Sequence, residues 1–448
     1  MFPIHFPKNT SGAIVHAMDL ATGLAPRHRV PLRLPSAWPS CAQSLLRAGA
    51  SWLHQGGPGG WGGDLLALPG GPRLEAFWDG LRFASPGGER PWEALADRVE
   101  ATDHPWLGAA SFELACFEGG LPFQHPAEGE PGMRWDGVLA AINVAKGQAE
   151  LWGWEDAAPD PALALQLGGA CTLSRSHFGE LEPAWSAQRH QEEVRALQAR
   201  ILEGDFYVAN LCVPFEASFQ GDPVTLALAR MRAACPPFGA FLQFGERRLL
   251  TFSMERLLAR DGDRIWSEPI KGSAQLTGDA ALDAATAAAL LADPKERAEH
   301  TMIVDLVRND LGRLAATGTV QVAALMECRV FPTVQHLVSR VEAHLGPGAG
   351  LADLLRAVLP GGSVTGAPKH AVCSHLARAE AAPRGFYCGA LGWIGPKGAC
   401  LDLALPIRTA QIQGERLTYW AGGGITRRSD PEKEWKELLL KTKVMNLP

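Results

Sequence analysis

Two stretches of the 448-residue sequence carry carboxylates at a helical spacing that could hold a hard cation. Glu296 and Glu299 stand at i, i+3. Glu434, Glu437 and Lys441 stand at i, i+3, i+7, so each set lines one face of a helix. Mg²⁺ takes a few carboxylates and completes its shell with water or substrate oxygens, and two such pairs could meet around one ion. Spacing alone favours a plainer alternative, a solvated charged face. Lys271 lies in Glu268-Pro269-Ile270-Lys271-Gly272-Ser273, directly after a predicted strand. A lysine at an apolar strand end can serve as a desolvated nucleophile, although most lysines are simply exposed. Glu255 ends another strand, where it could give or take a proton or equally pair with its neighbour Arg256. Gly361 to Lys369 form a Gly-rich loop entering a helix, and the free N–H groups there suit a carboxylate or phosphate. The loop lacks the Gly-Lys-Ser/Thr ending of a nucleotide loop, which disfavours ATP. Gly422, Gly423 and Gly424 allow close backbone approach to a ligand. Arg408, in a predicted strand with Pro406 and Ile407, could clamp a carboxylate with both guanidinium nitrogens. Together these residues describe a site for a small polyanion held by Mg²⁺, an arginine, a lysine and backbone amides.

The elements that must position them follow from local signals. Ser186 caps a helix with apolar positions Val194, Leu197 and Ile201, and Gly204 stops it. Strands are predicted at 206–217, 240–246 and 248–254, with a hairpin turn at Asp261-Gly262-Asp263. A long helix starts at Pro294 and runs to about Leu311; another follows Gly366-Ala367-Pro368. Strands at 385–394 and 399–411 are joined by Gly395-Pro396-Lys397-Gly398. A last helix begins at Ser429-Asp430-Pro431, with Glu432 in its first turn and with Trp435, Leu438, Leu439 and Thr442 facing the core. Residues 1–185 are rich in Gly, Pro and Trp, with turn signals at Pro69-Gly70-Gly71-Pro72 and Pro86-Gly87-Gly88, and read as short strands and loops. The Gly56 to Gly63 run lacks a strand before it and a helix after it, so it reads as a plain loop rather than a phosphate loop. The predicted class is α+β: large, mostly antiparallel sheets forming a sandwich with helices packed outside. An N-terminal region, 1–185, and a C-terminal catalytic region, 186–448, are expected to intertwine in it.

A formal net charge of −6 and no Lys/Arg-rich run argue against a nucleic-acid partner. No apolar stretch is long enough to span a membrane. Met1 to Lys8 lack the features of a secretion signal, which predicts a cytoplasmic protein. The nine cysteines, from Cys41 to Cys400, form no C-x-x-C pair and read as reduced thiols that mostly fill the core.

Several stretches, in this order, resemble the chorismate-utilising enzymes: anthranilate, aminodeoxychorismate, isochorismate and salicylate synthases. They are Arg297-Ala298-Glu299-His300 through Asp305-Leu306-Val307-Arg308-Asn309-Asp310, Gly361 to Lys369, Gly389-Ala390-Leu391-Gly392-Trp393, Ile407-Arg408-Thr409, and Ala421 to Lys441. The resemblance is strong over 186–445 and faint earlier, at Gly108 through Glu118 and Leu121-Pro122. It implies the fold of that family and a set of roles. Glu299 and Glu437 would be Mg²⁺ ligands, with Glu296 and Glu434 beside them, and the metal would hold the ring carboxylate of chorismate. Lys441, Gly423 and Gly424 would touch the same carboxylate. Arg408 and Tyr387 would bind the enolpyruvyl carboxylate, and His336 and Ser363 would line the site. Glu255 would be the general acid assisting loss of the C4 hydroxyl.

Within the family, anthranilate synthases resembling this chain carry Ala where Lys271 stands, and aminodeoxychorismate synthases carry Pro-Ile-Lys-Gly, as here. Isochorismate and salicylate synthases carry a water-activating lysine at the position of Val208, so water addition lacks its base. Ser273 replaces the common Thr and keeps the hydroxyl. Ala274-Gln275 stand where an Arg often follows, and Val208 stands where Gln is usual. The implied activity is amination of chorismate at C4 through a covalent Lys271 intermediate, on the folate route to 4-aminobenzoate. Ammonia would come from a separate glutamine amidotransferase subunit: no Gly-x-Cys-x-Gly segment is present, and Cys116, Cys212 and the rest lie in unsuitable surroundings. A downstream aminodeoxychorismate lyase is implied as well, and none is expected to be fused after Pro448. The alternatives are anthranilate synthase component I and a non-catalytic ligand-binding relative. Residues 1–185 could hold an aromatic amino-acid pocket as in some relatives, but the Leu-Leu-Glu-Ser stretch of tryptophan-inhibited anthranilate synthases reads Leu45-Leu46-Arg47-Ala48 here.

Overall fold

Among the described residues every strand pairing is antiparallel, and the pairings assemble two large sheets. The computed structural model describes residues 26–447 apart from 33–37, 49, 55–63, 69–70, 80, 86, 146–147, 157, 160–175 and 332–333. The Gly56 to Gly63 loop, Met1 to Lys8 and parts of the two Pro-Gly turns therefore lie outside the described residues.

The first sheet, 13-stranded, has Phe238–Phe244, Arg247–Ser253, Thr409–Gln413, Arg416–Ile425 and Val208–Gly221 as successive neighbours toward one side. The second, 11-stranded, runs from Ile270–Gln275 through Val334–His344, Arg264–Glu268, Arg256–Asp261, Cys400–Ala404 and Ala390–Ile394. Both sheets mix early and late parts of the chain. Ser51–His54 pairs with Phe238–Phe244 in the first, and Trp106–Ala110 pairs with Ala390–Ile394 in the second.

The sheets face each other across an apolar layer. Leu53, Leu65, Trp152 and Leu242 from one meet Leu107, Trp266, Trp393 and Ala404 from the other. Each fully buried large side chain contributes roughly 1.5–3 kcal/mol through area removed from water. Helices cover the outer faces. Ala187–Glu203 and Pro431–Thr442 lie on the first sheet. Pro91–Glu100, Phe112–Glu118, Pro294–Gly312 and Leu351–Val358 lie on the second. This is the expected α+β sandwich with helices outside. Among the described residues no helix is long and apolar enough to cross a membrane.

The helix ends match their sequence signals. The Ser186 hydroxyl accepts from the Arg189 amide at 3.2 Å, and Gly204 closes that helix at φ 89°. Asp293 and Asp430 each accept from two amides of the turn they begin. Three helices in the N-terminal part, Trp38–Arg47, Pro91–Glu100 and Phe112–Glu118, were not anticipated, because dense Gly and Pro around them suggested only strands and loops. The predicted strand 399–411 is two strands in different sheets, Cys400–Ala404 and Thr409–Gln413. Pro406 has no N–H to give a ladder, and Arg408 at φ 51° turns the chain out of extension. The strand expected to begin at 385 starts at Ala390, after a turn. On the last helix Leu438 is buried, but Leu439, a further 100° around the axis, is 38% exposed rather than core-facing.

Candidate active site

Two places where the chain passes from one sheet to the other lie side by side. Residues 254–255 link Arg247–Ser253 of the first sheet to Arg256–Asp261 of the second, and residues 405–408 return from Cys400–Ala404 to Thr409–Gln413. They are tied together: the Leu405 amide donates to the Glu255 carbonyl at 3.0 Å, and the Phe252 amide to the Arg408 carbonyl at 3.1 Å. Glu255 and Arg408 thus stand on adjacent crossovers, and Arg408 belongs to a crossover rather than to the strand assigned to it from sequence.

Glu255 is not the partner of Arg256. The Arg256 guanidinium is fully buried and engages Asp402 at 2.9 and 3.0 Å and Glu268 as well. Glu255 instead accepts from the Ser363 hydroxyl at 2.6 Å. Burial raises its pKa to about 7, against the opposing pull of that hydrogen bond and of Lys271. It is a carboxyl still half-protonated near neutrality, as a proton donor requires.

Lys271 sits on Ile270–Gln275, at the margin of the second sheet. Its Nζ lies 3.9 Å from Glu299 Oε2. It reaches to Arg416–Ile425 of the first sheet, where a β-carbon added to Gly424 would stand only 2.6 Å from it. Gly424 is therefore required here for close approach. The same added carbon would lie 3.7 Å from Val208 Cγ2, which puts Val208 beside the amine. Buried His300, unremarked in the sequence beyond its place in the Arg297 to His300 stretch, steadies the lysine backbone. Its Nδ1 is 3.3 Å from the Lys271 carbonyl, and its Nε2 is 2.7 Å from Ser339 Oγ.

Four carboxylates converge from two helices. On Pro294–Gly312, Glu299 heads a buried stripe that continues through Ile303 and Val307, so its carboxylate is carried over the sheet end. Glu296, one turn earlier, lies 3.2 Å from where a Gly272 β-carbon would be. On Pro431–Thr442, Glu434 is buried above Leu438 and approaches Gly423. Glu437 is 55% exposed and pairs with Lys441 Nζ at 2.9 Å; that ammonium holds its pKa below the ordinary range. Lys441 Nζ also donates to the Gly422 carbonyl at 2.7 Å. Lys295, missed by sequence reading, stands 3.8 Å from both Glu299 and Glu434 and links the two helices. Thr426 donates to Glu299 at 3.2 Å.

Among the described residues, no three acidic, His or Cys side chains are close enough to form a ready-made metal site. The donor set nevertheless suits Mg²⁺. It offers hard carboxylate oxygens only, and two of them already flank one cation, Lys295. Burial raises Glu296 and Glu434, and like-charged Glu299 and Glu437 raise them further; a cation relieves that repulsion.

On the other side, Tyr387 is buried and stacks on Trp420, with ring centroids 6.0 Å apart. Burial lowers the pKa of the nearby Arg408, against the pull of Tyr419, Tyr387 and Glu437. Its guanidinium makes no hydrogen bond or ion pair with another described residue. His336 bonds Ser273 Oγ at 2.8 Å, and burial, with Arg408 adding, lowers its pKa to about 3, so the ring is neutral. All thirteen site residues proposed from sequence fall in this one region. A separate small indentation beside Glu113, Gln124 and Arg384 shares none of them.

Residues 86–446 match the family model described as chorismate binding enzyme. The chain belongs to this family, and is a chorismate-utilising enzyme. It is similar to aminodeoxychorismate synthase component 1 of Klebsiella aerogenes, 40% identical over 346 residues that cover 74% of this chain and 75% of that protein. Against two further curated relatives the alignment spans 57% and 46% of their own lengths. Among solved structures, anthranilate synthase component I of Streptococcus pneumoniae superposes with a TM-score of 0.71 at 26% identity, covering 85% of this chain and 91% of that one. The menaquinone-specific isochorismate synthase of Escherichia coli shares the fold, with a TM-score of 0.71 at 19% identity, covering 94% and 93%.

Proposed function

We propose that this chain aminates chorismate at C4 to give 4-amino-4-deoxychorismate, on the folate route to 4-aminobenzoate. A separate glutamine amidotransferase would supply the ammonia, and an aminodeoxychorismate lyase would act next. One juxtaposition carries the reading: Lys271 Nζ, reaching past Gly424, shares its site with Glu255, a carboxyl titrating near neutrality. The sequence similarity to aminodeoxychorismate synthase component 1 supports it; that name, as a first component, also fits a partner. Val208 beside Lys271 offers no base for water, which speaks against isochorismate and salicylate formation. Seven described cysteines are free thiols, in keeping with a cytoplasmic setting.

Lys271, as the free amine, attacks C2 of chorismate. The ring double bonds shift, and the C4–O bond breaks as Glu255 passes its proton to the departing hydroxyl, which leaves as water. Ammonia then forms a bond to C4, the C2–N bond to Lys271 breaks, and the excess proton returns to Glu255. Two displacements replace one difficult substitution. Arg408 and Tyr387 hold the enolpyruvyl carboxylate, with His336 lining the site, while Lys441 and the Gly423 and Gly424 backbone face the ring carboxylate and fix the ring for both attacks. Mg²⁺, held by Glu299 and Glu437 with Glu296 and Glu434 beside them, would supply Lewis-acid binding of that ring carboxylate.

The test is product analysis by mass-resolved chromatography, with purified protein, chorismate, Mg²⁺ and ammonium salt. Aminodeoxychorismate, converted to 4-aminobenzoate by added lyase, is the expected product. Anthranilate instead would overturn C4 amination. Lys271→Ala should slow product formation at saturating ammonium by at least ~10²-fold, the scale of losing an activated nucleophile; an unimpaired variant would remove Lys271 from the chemistry.

A further inference from the structure

Behind the Gly361 to Lys369 loop lies a buried ion pair that no role in the proposed reaction uses. Glu380 ends the helix Lys369–Ala379, Arg384 follows four residues later, and both side chains are buried. Glu380 takes the guanidinium with both oxygens, at 2.9 Å from Nε and 2.6 Å from Nη2. The Phe112 ring covers the guanidinium at 4.3 Å. The Arg384 main chain is fixed at both polar groups: its amide donates to Glu113 at 2.7 Å, and its carbonyl accepts from Gln411 Nε2 at 3.2 Å.

Held on these sides, the guanidinium reaches two main-chain carbonyls. Nη2 donates to Asn210 at 2.9 Å and Nη1 to Val364 at 2.8 Å. The two carbonyls differ in what else fixes them. Asn210 lies in Val208–Gly221, paired residue by residue with Arg416–Ile425, so the ladder holds it without help. Val364 lies in the short 3₁₀ turn Gly362–Val364, outside any ladder. Its neighbour Ser363 is the residue whose hydroxyl donates to Glu255 at 2.6 Å. The strand is thus the anchor, and the turn that carries Ser363 is what the arginine ties to it. A rigid planar fork suits this task. A lysine ammonium, a point charge on a flexible stem, does not hold Glu380 and two carbonyls in one fixed plane.

We propose that Arg384, clamped by Glu380, is a positioning residue of the reaction: it fixes the Val364 carbonyl and so sets where the Ser363 hydroxyl meets Glu255. It acts through Ser363 and gives no group to the substrate itself. The inference rests on the proton-donor role assigned to Glu255 under the proposed function, and adds the strut that aims that donor.

The test is a double-mutant cycle on the intact chain with chorismate, Mg²⁺ and ammonium salt, following chorismate consumption. Arg384→Lys should lower kcat by at least ~10-fold and leave KM for chorismate within about threefold, because Arg408, Lys441 and the four carboxylates stay in place. Ser363→Ala should lower kcat as well. In the double variant the two losses should not multiply: kcat should lie within about threefold of the slower single variant. Multiplied losses overturn the proposal, as does a raised KM with kcat unchanged or a Ser363→Ala chain of full activity. Glu380→Gln loosens the clamp and keeps the arginine. It should give a smaller loss, again not multiplying with Ser363→Ala, and it decides the question if circular dichroism shows Arg384→Lys unfolded. If neither variant folds, the pair is a determinant of the fold alone and the proposal falls. Anthranilate from the wild type overturns C4 amination while the cycle, read from chorismate consumption, still decides the role of Arg384; a wild type that consumes no chorismate overturns both.

Discussion

At the scale of single residues, the most informative group is Glu255. A buried carboxyl whose pKa lies near 7 rather than 4.5 is a liability to the fold. An unfolded carboxyl ionises from pH 4.5 upward while the folded one stays protonated until about 7. The native state is therefore penalised progressively across that window, and constantly above it. The gap corresponds to about 3 kcal/mol at full ionisation. Glu255→Gln keeps the shape and removes the charge. It should raise the thermal unfolding temperature at pH 8 and leave it unchanged at pH 4.5, while lowering turnover about 10²–10⁴-fold, the usual worth of a general acid. Equal stability of both proteins at pH 8 would show that Glu255 is not strained by its burial. The sequence put acid and salt-bridge partner on equal terms at this position. Only the fold separates them, because Arg256 finds Asp402 on the neighbouring strand, 146 residues away.

At the scale of elements, helix ends and hairpin turns were legible because their signals are local: Ser186 with Gly204, Pro294, Asp430 with Pro431, and Gly262 between two strands. The carboxylate stripes were legible for the same reason. That the two pairs face one another was implied by the family resemblance rather than by spacing, which favoured a solvated face, and Lys295, which bridges the two helices, gave no signal of its own. The crossover at 405–408 was hidden because a strand that changes sheets has the same apolar composition as one that continues. Gly424 gives this scale its test. A methyl group there meets the far end of a flexible lysine rather than backbone. Gly424→Ala should therefore cost little stability yet displace Lys271 and reduce kcat sharply. Circular dichroism and steady-state rates measured on the same sample check both halves, and full activity would mean that Lys271 does not need its seat on the first sheet.

For the molecule as a whole, the family resemblance was strong only from 186 onward, which invites treatment of that part as a unit. The pairing argues otherwise. Removing residues 1–185 would strip Ser51–His54 from Phe238–Phe244 and Trp106–Ala110 from Ala390–Ile394, opening an edge in each sheet. It would also uncover the inter-sheet layer around Trp393 and Trp266. Unpaired apolar edges promote association between chains. A chain of residues 186–448 alone should lack a cooperative thermal transition and should aggregate; a monomeric fragment with a sharp transition would show that the later strands suffice. The early strands were faint in the sequence because what they contribute is edge pairing and packing volume, which many sequences can satisfy.

The two sheets also act on the chemistry like the two rules of a vernier. Lys271 is engraved on one and Gly424 on the other, while Glu255 and Arg408 mark the bends between them. A slide of one sheet against its partner by a fraction of an ångström is read out, undiminished, at the spot where the amine meets the ring. Alignment of the reactants is thus a property of the interior layer many residues away, and the tightly filled tryptophan-rich middle of this protein sets the zero of that scale.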